Sequence, residues 1–146
     1  MSEHVAHLSW KRQSVDFAYD SYNRDHVVTF GGGEALALSS APDFRGDAAR
    51  VNPEELLVAA LSSCHMLTFL AIASRKRLVV DAYEDRAVGV MTKNAEGKLF
   101  VSHVTLWPRV SFAQPPPDDV LQRLHHQAHA ECFIANSVLT DVTVKG

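Results

Sequence analysis

Residues 52–77 constrain the fold more than any other stretch of this chain, because they announce a helix start and then offer almost nothing polar to water. Asn52 is a good N-cap, Pro53 suits the first helical position, and Glu55 falls where a capping-box carboxylate sits. Glu54 and Glu55 also favour the positive end of a helix dipole, and Arg75, Lys76 and Arg77 the negative end. Between them Leu56, Leu57, Ala60, Leu61, Cys64, Leu67, Phe69 and Ala71 cover nearly every side. The pattern predicts one long buried helix running to about Arg77. Ala59, Ala60, Ser62 and Ser63 are small enough to admit another backbone. A helix apolar all round needs more cover than a single chain of 146 residues readily supplies, so a second copy is expected and with it a homodimer.

The rest of the chain reads as strands and one further helix. Ala6, Leu8 and Trp10 alternate with His7, Ser9 and Lys11, the period of a half-buried strand. Residues 26–30 and 35–39 form a hairpin around Gly31, Gly32 and Gly33, and a loop follows from Ser40 to Val51. A strand is expected over 79–93, a turn over 94–97 and a second strand over 99–112. In that last strand Phe100, Val104, Leu106, Val110 and Phe112 share one face, and Val101, His103, Thr105 and Arg109 the other. Pro115, Pro116 and Pro117 open a helix that turns Val120, Leu121, Leu124 and Ala128 inward and runs to about Cys132. Val138, Thr140, Val142 and Val144 close the chain as a strand. Strands, helix, strands, helix, strand argues one α+β domain over 1–146, with largely antiparallel sheet and a long central helix.

Composition narrows the partners. A net charge of -3 makes no electrostatic case for nucleic acid or an anionic membrane. The N-terminus lacks the apolar run of a signal peptide, and Ser62, Ser63, Cys64 and His65 interrupt the longest apolar stretch, so a cytoplasmic address and no membrane span are expected. In a reducing compartment the two cysteines, Cys64 and Cys132, suit a transient or catalytic bond better than a permanent one.

The thiols carry the chemistry, and two readings of each stand side by side. A free cysteine is commonly a small buried hydrophobe. As a nucleophile it must be a thiolate, which needs a nearby cation or dipole. Cys64 lies mid-helix, out of reach of the helix N-terminus, so an arginine is expected beside it. Arg24, Arg45 and Arg50 are the candidates. A metal site is the sharp alternative: His125, His129 and Cys132 fall on one face of the second helix, and Cys64 or His65 would complete a tetrahedron.

Three segments together resemble the OsmC/Ohr family of osmotically inducible and organic hydroperoxide resistance proteins. They are YNRDHVVTFGGGEALALSSAP, NPEELLVAALSSCHMLTFL around Cys64, and AECFIANSVLTDVTV around Cys132, in the family's order. The resemblance implies a thiol peroxidase working without metal, haem or flavin, built as an intertwined homodimer with sites at the interface. Cys64 takes the position of the peroxide-attacking cysteine, Cys132 that of the resolving cysteine, and Glu54 that of the catalytic glutamate. Arg24 fits the arginine of the hydroperoxide-resistance branch, while other branches draw it from the loop that here holds Arg45. The branch's reductant is typically a lipoyl group, and its substrate an organic hydroperoxide, with hydrogen peroxide second. His65 departs from the aromatic residue common after the cysteine and points to a less-studied subgroup.

The chemistry suits these residue types. A thiolate cleaves the peroxide, an arginine lowers its pKa and holds the peroxide's polar head, and Glu54 orients that arginine. Cys132 then condenses with the Cys64 sulfenic acid, and an external dithiol reduces the disulfide. Met66, Phe69, Phe133 and Ile134 would suit an apolar tail. Glu54 and Cys64 stand about 15 Å apart along one helix, so both can serve one substrate only if the glutamate comes from the other subunit or the helix is broken. The first is expected. The competing classes are a metal- or small-ligand-binding dimer without catalysis, and a redox sensor using the same two thiols.

Overall fold

In the computed structural model, which describes Met1–Gly146, the Asn52–Glu55 signal closes as a reciprocal capping box. The Glu55 N–H donates to Asn52 Oδ1 at 2.9 Å, and the Asn52 N–H donates to Glu55 Oε1 at 3.1 Å. Helix α1 then runs unbroken over Pro53–Arg75. It stops two residues earlier than expected because Arg77 turns left-handed, with φ 58°. The Leu78 N–H reaches Ala73 O at 2.9 Å and the Arg77 N–H reaches Ser74 O at 3.0 Å, the paired bonds of a Schellman end with arginine in the place glycine usually takes.

The chain divides into two compact units, Met1–Leu56 and Leu57–Gly146. The first holds β1 (Ala6–Ser9), β2 (His26–Phe30) and β3 (Ala35–Leu38) as one antiparallel sheet in the order β1-β2-β3. The β2–β3 hairpin turns where the glycines stand, with Gly33 at φ 95°. Strand β1 is exposed along its whole length rather than half-buried, and Leu8 keeps 63% of its surface open.

The second unit holds β4 (Val80–Asp85), β5 (Val88–Lys93), β6 (Leu99–Leu106), β7 (Pro108–Phe112), helix α2 (Asp118–Glu131) and β8 (Asp141–Val144). Strands β4 and β7 pair antiparallel, while β5, β6 and β8 form a second sheet in which β8 runs parallel to β6. Each long strand of the sequence reading is therefore two. The break falls where Asp85 faces Pro108, which has no N–H to give the ladder. The Asp85 carboxylate takes the Trp107 N–H at 2.6 Å instead, and on its other oxygen the Ser62 hydroxyl of α1 at 2.5 Å. That tie fixes α1 against the strand junction.

The break also separates two cores. Val104 and Leu106 pack with Leu61, Ile134, Val142 and Val144. Val110 and Phe112, beyond the break, pack with Phe69, Ile72, Ala73, Leu124 and Ala128. The expected inward faces of α2 and of residues 99–112 are thus used, but against different neighbours. Gly89 lets β5 approach α1 closely, since a Cβ there would stand 2.5 Å from Val58 Cγ2.

Helix α1 departs from its expected burial. Its buried residues, Leu61, His65, Phe69, Ile72 and Ala73, form one stripe, while Leu67 is 60% exposed. By length and composition alone α1 is apolar enough to cross a membrane, so the polar interruption at Ser62–His65 does not exclude a span as the sequence reading supposed. Its buried stripe is instead spent on the two cores. The architecture is α+β, with two helices and mostly antiparallel sheet.

Candidate active site

Cys64 sits on the uncovered side of α1 and is half-buried. Helix α2 ends at Glu131, and Cys132 leaves it in an extended conformation with its side chain 1% exposed. The chain then turns back so that the Ala135 N–H donates to Cys132 Sγ at 3.4 Å. This turn brings the Cys132 thiol and the backbone of Ile134 and Phe133 beside Cys64, while the Thr68 hydroxyl donates to the Cys64 carbonyl at 2.8 Å. The two cysteines, 68 residues apart in sequence, lie close enough for each side chain to shift the other's pKa.

The two thiols are pushed in opposite directions. Partial burial pushes Cys64 up, but the Cys132 hydrogen bond and the Ile134 and Phe133 amides together outweigh it, and its pKa falls below the ordinary value. Burial pushes Cys132 up, and its hydrogen bond to Cys64 pushes the same way. Cys64 is the more acidic thiol of the pair. Within this chain the groups that lower its pKa are the Cys132 side chain, the Ile134 and Phe133 backbone and Thr68.

An open groove of about 690 Å³ runs past Cys64. One wall is the uncovered stripe of α1, with Ser63, Leu67, Thr68, Ala71 and Arg75; the other is Glu131, Phe133, Ile134 and Asn136. Phe133 and Ile134 line it as expected. Phe69 does not: it is fully buried and packs on the His125 ring. Met66 is absent from the lining as well. The sequence reading missed Thr68, the Phe133 and Ile134 amides and Arg75. Only the i+4 and i+11 spacing of Thr68 and Arg75 from Cys64 could have suggested the two side chains.

Arg24, Arg45, Arg50 and Glu54 belong to the Met1–Leu56 unit. The Arg24 guanidinium donates to the carbonyls of Tyr22 and Tyr19 at 2.5 Å each and lies 3.6 Å over the Tyr22 ring. Arg45 pairs with Asp20 at 2.9 Å, and Arg50 with Asp25 at 3.4 Å. Glu54 leaves one carboxylate oxygen, Oε2, buried without a hydrogen-bond partner in this chain.

The metal alternative is sorted apart. No group of three or more His, Cys, Asp or Glu side chains converges as ligands. Cys132 meets Cys64, whereas His125 meets His65, with His65 Nε2 and His125 Nδ1 3.0 Å apart and the rings stacked at 5.3 Å. Burial first, then His125 and His129, lower His65 to about 4, and burial lowers His125 as well, so both are neutral imidazoles at pH 7. His125 Nε2 and His129 Nδ1 have no hydrogen-bond partner.

Residues 46–145 match the family described as OsmC-like protein. Over 99% of both chains the protein is 45% identical to an OsmC-like protein of unknown function from Vibrio cholerae, with a TM-score of 0.94. An organic hydroperoxide resistance protein of Legionella pneumophila is 18% identical over 99% of this chain and 95% of its own, with a TM-score of 0.73. One from Bacillus subtilis is 18% identical over 99% and 97%, with a TM-score of 0.71, and these two likenesses speak for the fold alone. None of the curated proteins matches. The chain belongs to the OsmC-like family.

Proposed function

We propose that the protein is a cysteine-based peroxidase that reduces organic hydroperoxides, with Cys64 as nucleophile and Cys132 as resolving thiol. The observation that carries this reading is the pair of neighbouring thiols pushed in opposite directions beside an open groove. A purely structural cysteine would have no reason to be made more acidic beside a second thiol at an open groove.

The Cys64 thiolate attacks one peroxide oxygen and the O–O bond breaks. The electron pair leaves on the alkoxide, which takes a proton and departs as alcohol. Cys64 is now a sulfenic acid. The neighbouring Cys132 thiol displaces its hydroxyl as water and closes the disulfide. An external dithiol, lipoyl by family resemblance, returns both thiols by exchange. The Phe133 and Ile134 amides stabilise the attacking thiolate. Arg24 and Glu54 keep the roles the resemblance gives them: the arginine holds the peroxide's polar head and the glutamate orients the arginine.

This reading includes a homodimer in the cytoplasm. Leu8, Val5 and Phe17 in the first unit are 63%, 63% and 67% exposed, apolar surface that a second copy would cover. Helix α1 is unbroken between Glu54 and Cys64, about 15 Å of rise, so a glutamate serving Cys64 comes from the other copy. The buried, unpartnered Glu54 Oε2 suits a polar group from outside its own chain. A mixed dimer of Cys64→Ser with Glu54→Ala chains tests this: one intact site and half activity are expected, whereas no activity refutes the arrangement.

The peroxidase reading is tested by titrating reduced protein with cumene hydroperoxide and following free thiols and intact mass. The wild type should lose both thiols and two hydrogens. Cys132→Ser should stop at a sulfenic or higher acid. Unchanged thiols in the wild type would refute the reading.

A further inference from the structure

The imidazoles of α2, which the thiol chemistry leaves unused, face a second hollow. It encloses about 360 Å³ between α2 and β8, with Gln122, His125, His129, Thr143 and Gly146 in its lining. On α2 these residues centre about half a turn round from Glu131, which lines the Cys64 groove. The hollow therefore opens away from the face on which a second copy is seated. His125 is 7% exposed, and its Nε2 is buried with no hydrogen-bond partner. His129 Nδ1, one turn further along the same side of the helix, is buried and unpartnered too. Two orphaned ring nitrogens on successive turns carry a cost that one shared ligand removes.

The chemistry of that ligand follows from what each nitrogen can offer. The other His125 nitrogen, Nδ1, lies 3.0 Å from His65 Nε2. With the His125 Nδ1 proton donated to His65, Nε2 turns a lone pair to the hollow. A metal-bound imidazole is held in this way, by an outer partner on its second nitrogen. Gly146 keeps space beside Nε2: a Cβ there would stand 3.5 Å from that nitrogen and 3.1 Å from the Pro108 carbonyl oxygen. The lining carries imidazoles and no acidic side chain, a donor set for zinc, nickel or copper and not for calcium or magnesium. We propose that the hollow binds one divalent ion of the zinc kind, with His125 Nε2 and His129 Nδ1 as ligands and His65 as the outer partner that orients His125. Two imidazoles are its whole set of His, Cys, Asp or Glu ligands, so the remaining positions go to water and neutral oxygens of the lining. The ion would tie α2 to the end of β8, and the site does not depend on the thiol chemistry.

The test titrates the full-length Cys64→Ser, Cys132→Ser double variant, in which no thiol competes for metal, with zinc chloride by calorimetry. One zinc per chain is expected. His65→Phe should weaken binding about tenfold, the scale of losing an outer partner, and His129→Gln should weaken it further. His126→Gln, on the same hollow but exposed and outside the ligand pair, should leave the affinity unchanged. Nitrogen NMR of the imidazoles gives an arm that needs no further substitution, and zinc should shift His125 Nε2 and His129 Nδ1. Zinc should also raise the thermal midpoint of the double variant and leave that of His129→Gln in the same background where it was. No zinc binding, equal affinity with and without His129, or NMR shifts confined to the other histidines would overturn the proposal.

Discussion

Cys64 and His65 are neighbours in sequence, yet they take part in opposite kinds of site. Each reaches across from α1 to a residue of α2 or its C-terminal end. Cys64 meets Cys132 beside an open groove, and His65 meets His125 under Phe69 in the core. At the sulfur end, the Cys132 thiol and the Ile134 and Phe133 backbone favour the charged form of Cys64. At the imidazole end, burial and neighbouring histidines favour the neutral form. One residue, about 100° of helix rotation, separates reactivity from packing: the same helix–helix junction favours a charge where N–H groups lie beside it and disfavours one where none do.

The comparison is broken most directly at Cys64. Cys64→Ser should reduce the rate of thiol oxidation by cumene hydroperoxide on the order of a thousandfold or more, because the remaining Cys132 is buried and protonated. Comparable oxidation of the variant would move the nucleophile elsewhere.

Acid should find the imidazole end instead. His65 has a folded pKa of about 4 against 6.5 for the free side chain, so below pH 6.5 the unfolded chain takes a proton that the folded one refuses. Stability is therefore complete above pH 6.5 and falls as the pH drops towards 4, by up to about 3 kcal/mol for this one group. Urea midpoints of wild type and His65→Phe across that range check it, and the variant should show the shallower decline.

Asp85 sharpens the contrast because it touches both structure and charge. Asp85→Ala strands the Ser62 hydroxyl and the Trp107 N–H, and should cost about 1–3 kcal/mol in chemical denaturation. It also removes the charge that pulls His65 and His125 upward, so both imidazoles should titrate at lower pH by NMR.

The smallest effect distinguishes the groups holding the Cys64 thiolate. Cys132→Ala deletes the largest of the interactions that lower its pKa, so the pH midpoint of Cys64 alkylation by iodoacetamide should rise. A midpoint that does not move would assign the lowering to the Phe133 and Ile134 amides and Thr68.

Much of this was legible in the residues themselves. The start of α1, the β2–β3 hairpin and the inward face of α2 rest on capping, turn chemistry and periodicity, which act over a few residues. The family resemblance named both cysteines, and the structure brings them together. Hidden were the strand breaks at 86–87 and 107, since they depend on Asp85 facing a proline 23 residues away. Hidden also was the amide pair at Phe133 and Ile134, because backbone donors leave no mark on side-chain identity.

By itself, then, the sequence determined where helices begin, which residues are apolar enough to be buried, and that two thiols are available. The tertiary structure alone decided which side of α1 stays open, that sulfur meets sulfur and imidazole meets imidazole, and which thiol is acidic. The physical reason is that a pKa and a burial depend on atoms brought close by packing, from segments whose distance in sequence carries no record of their meeting.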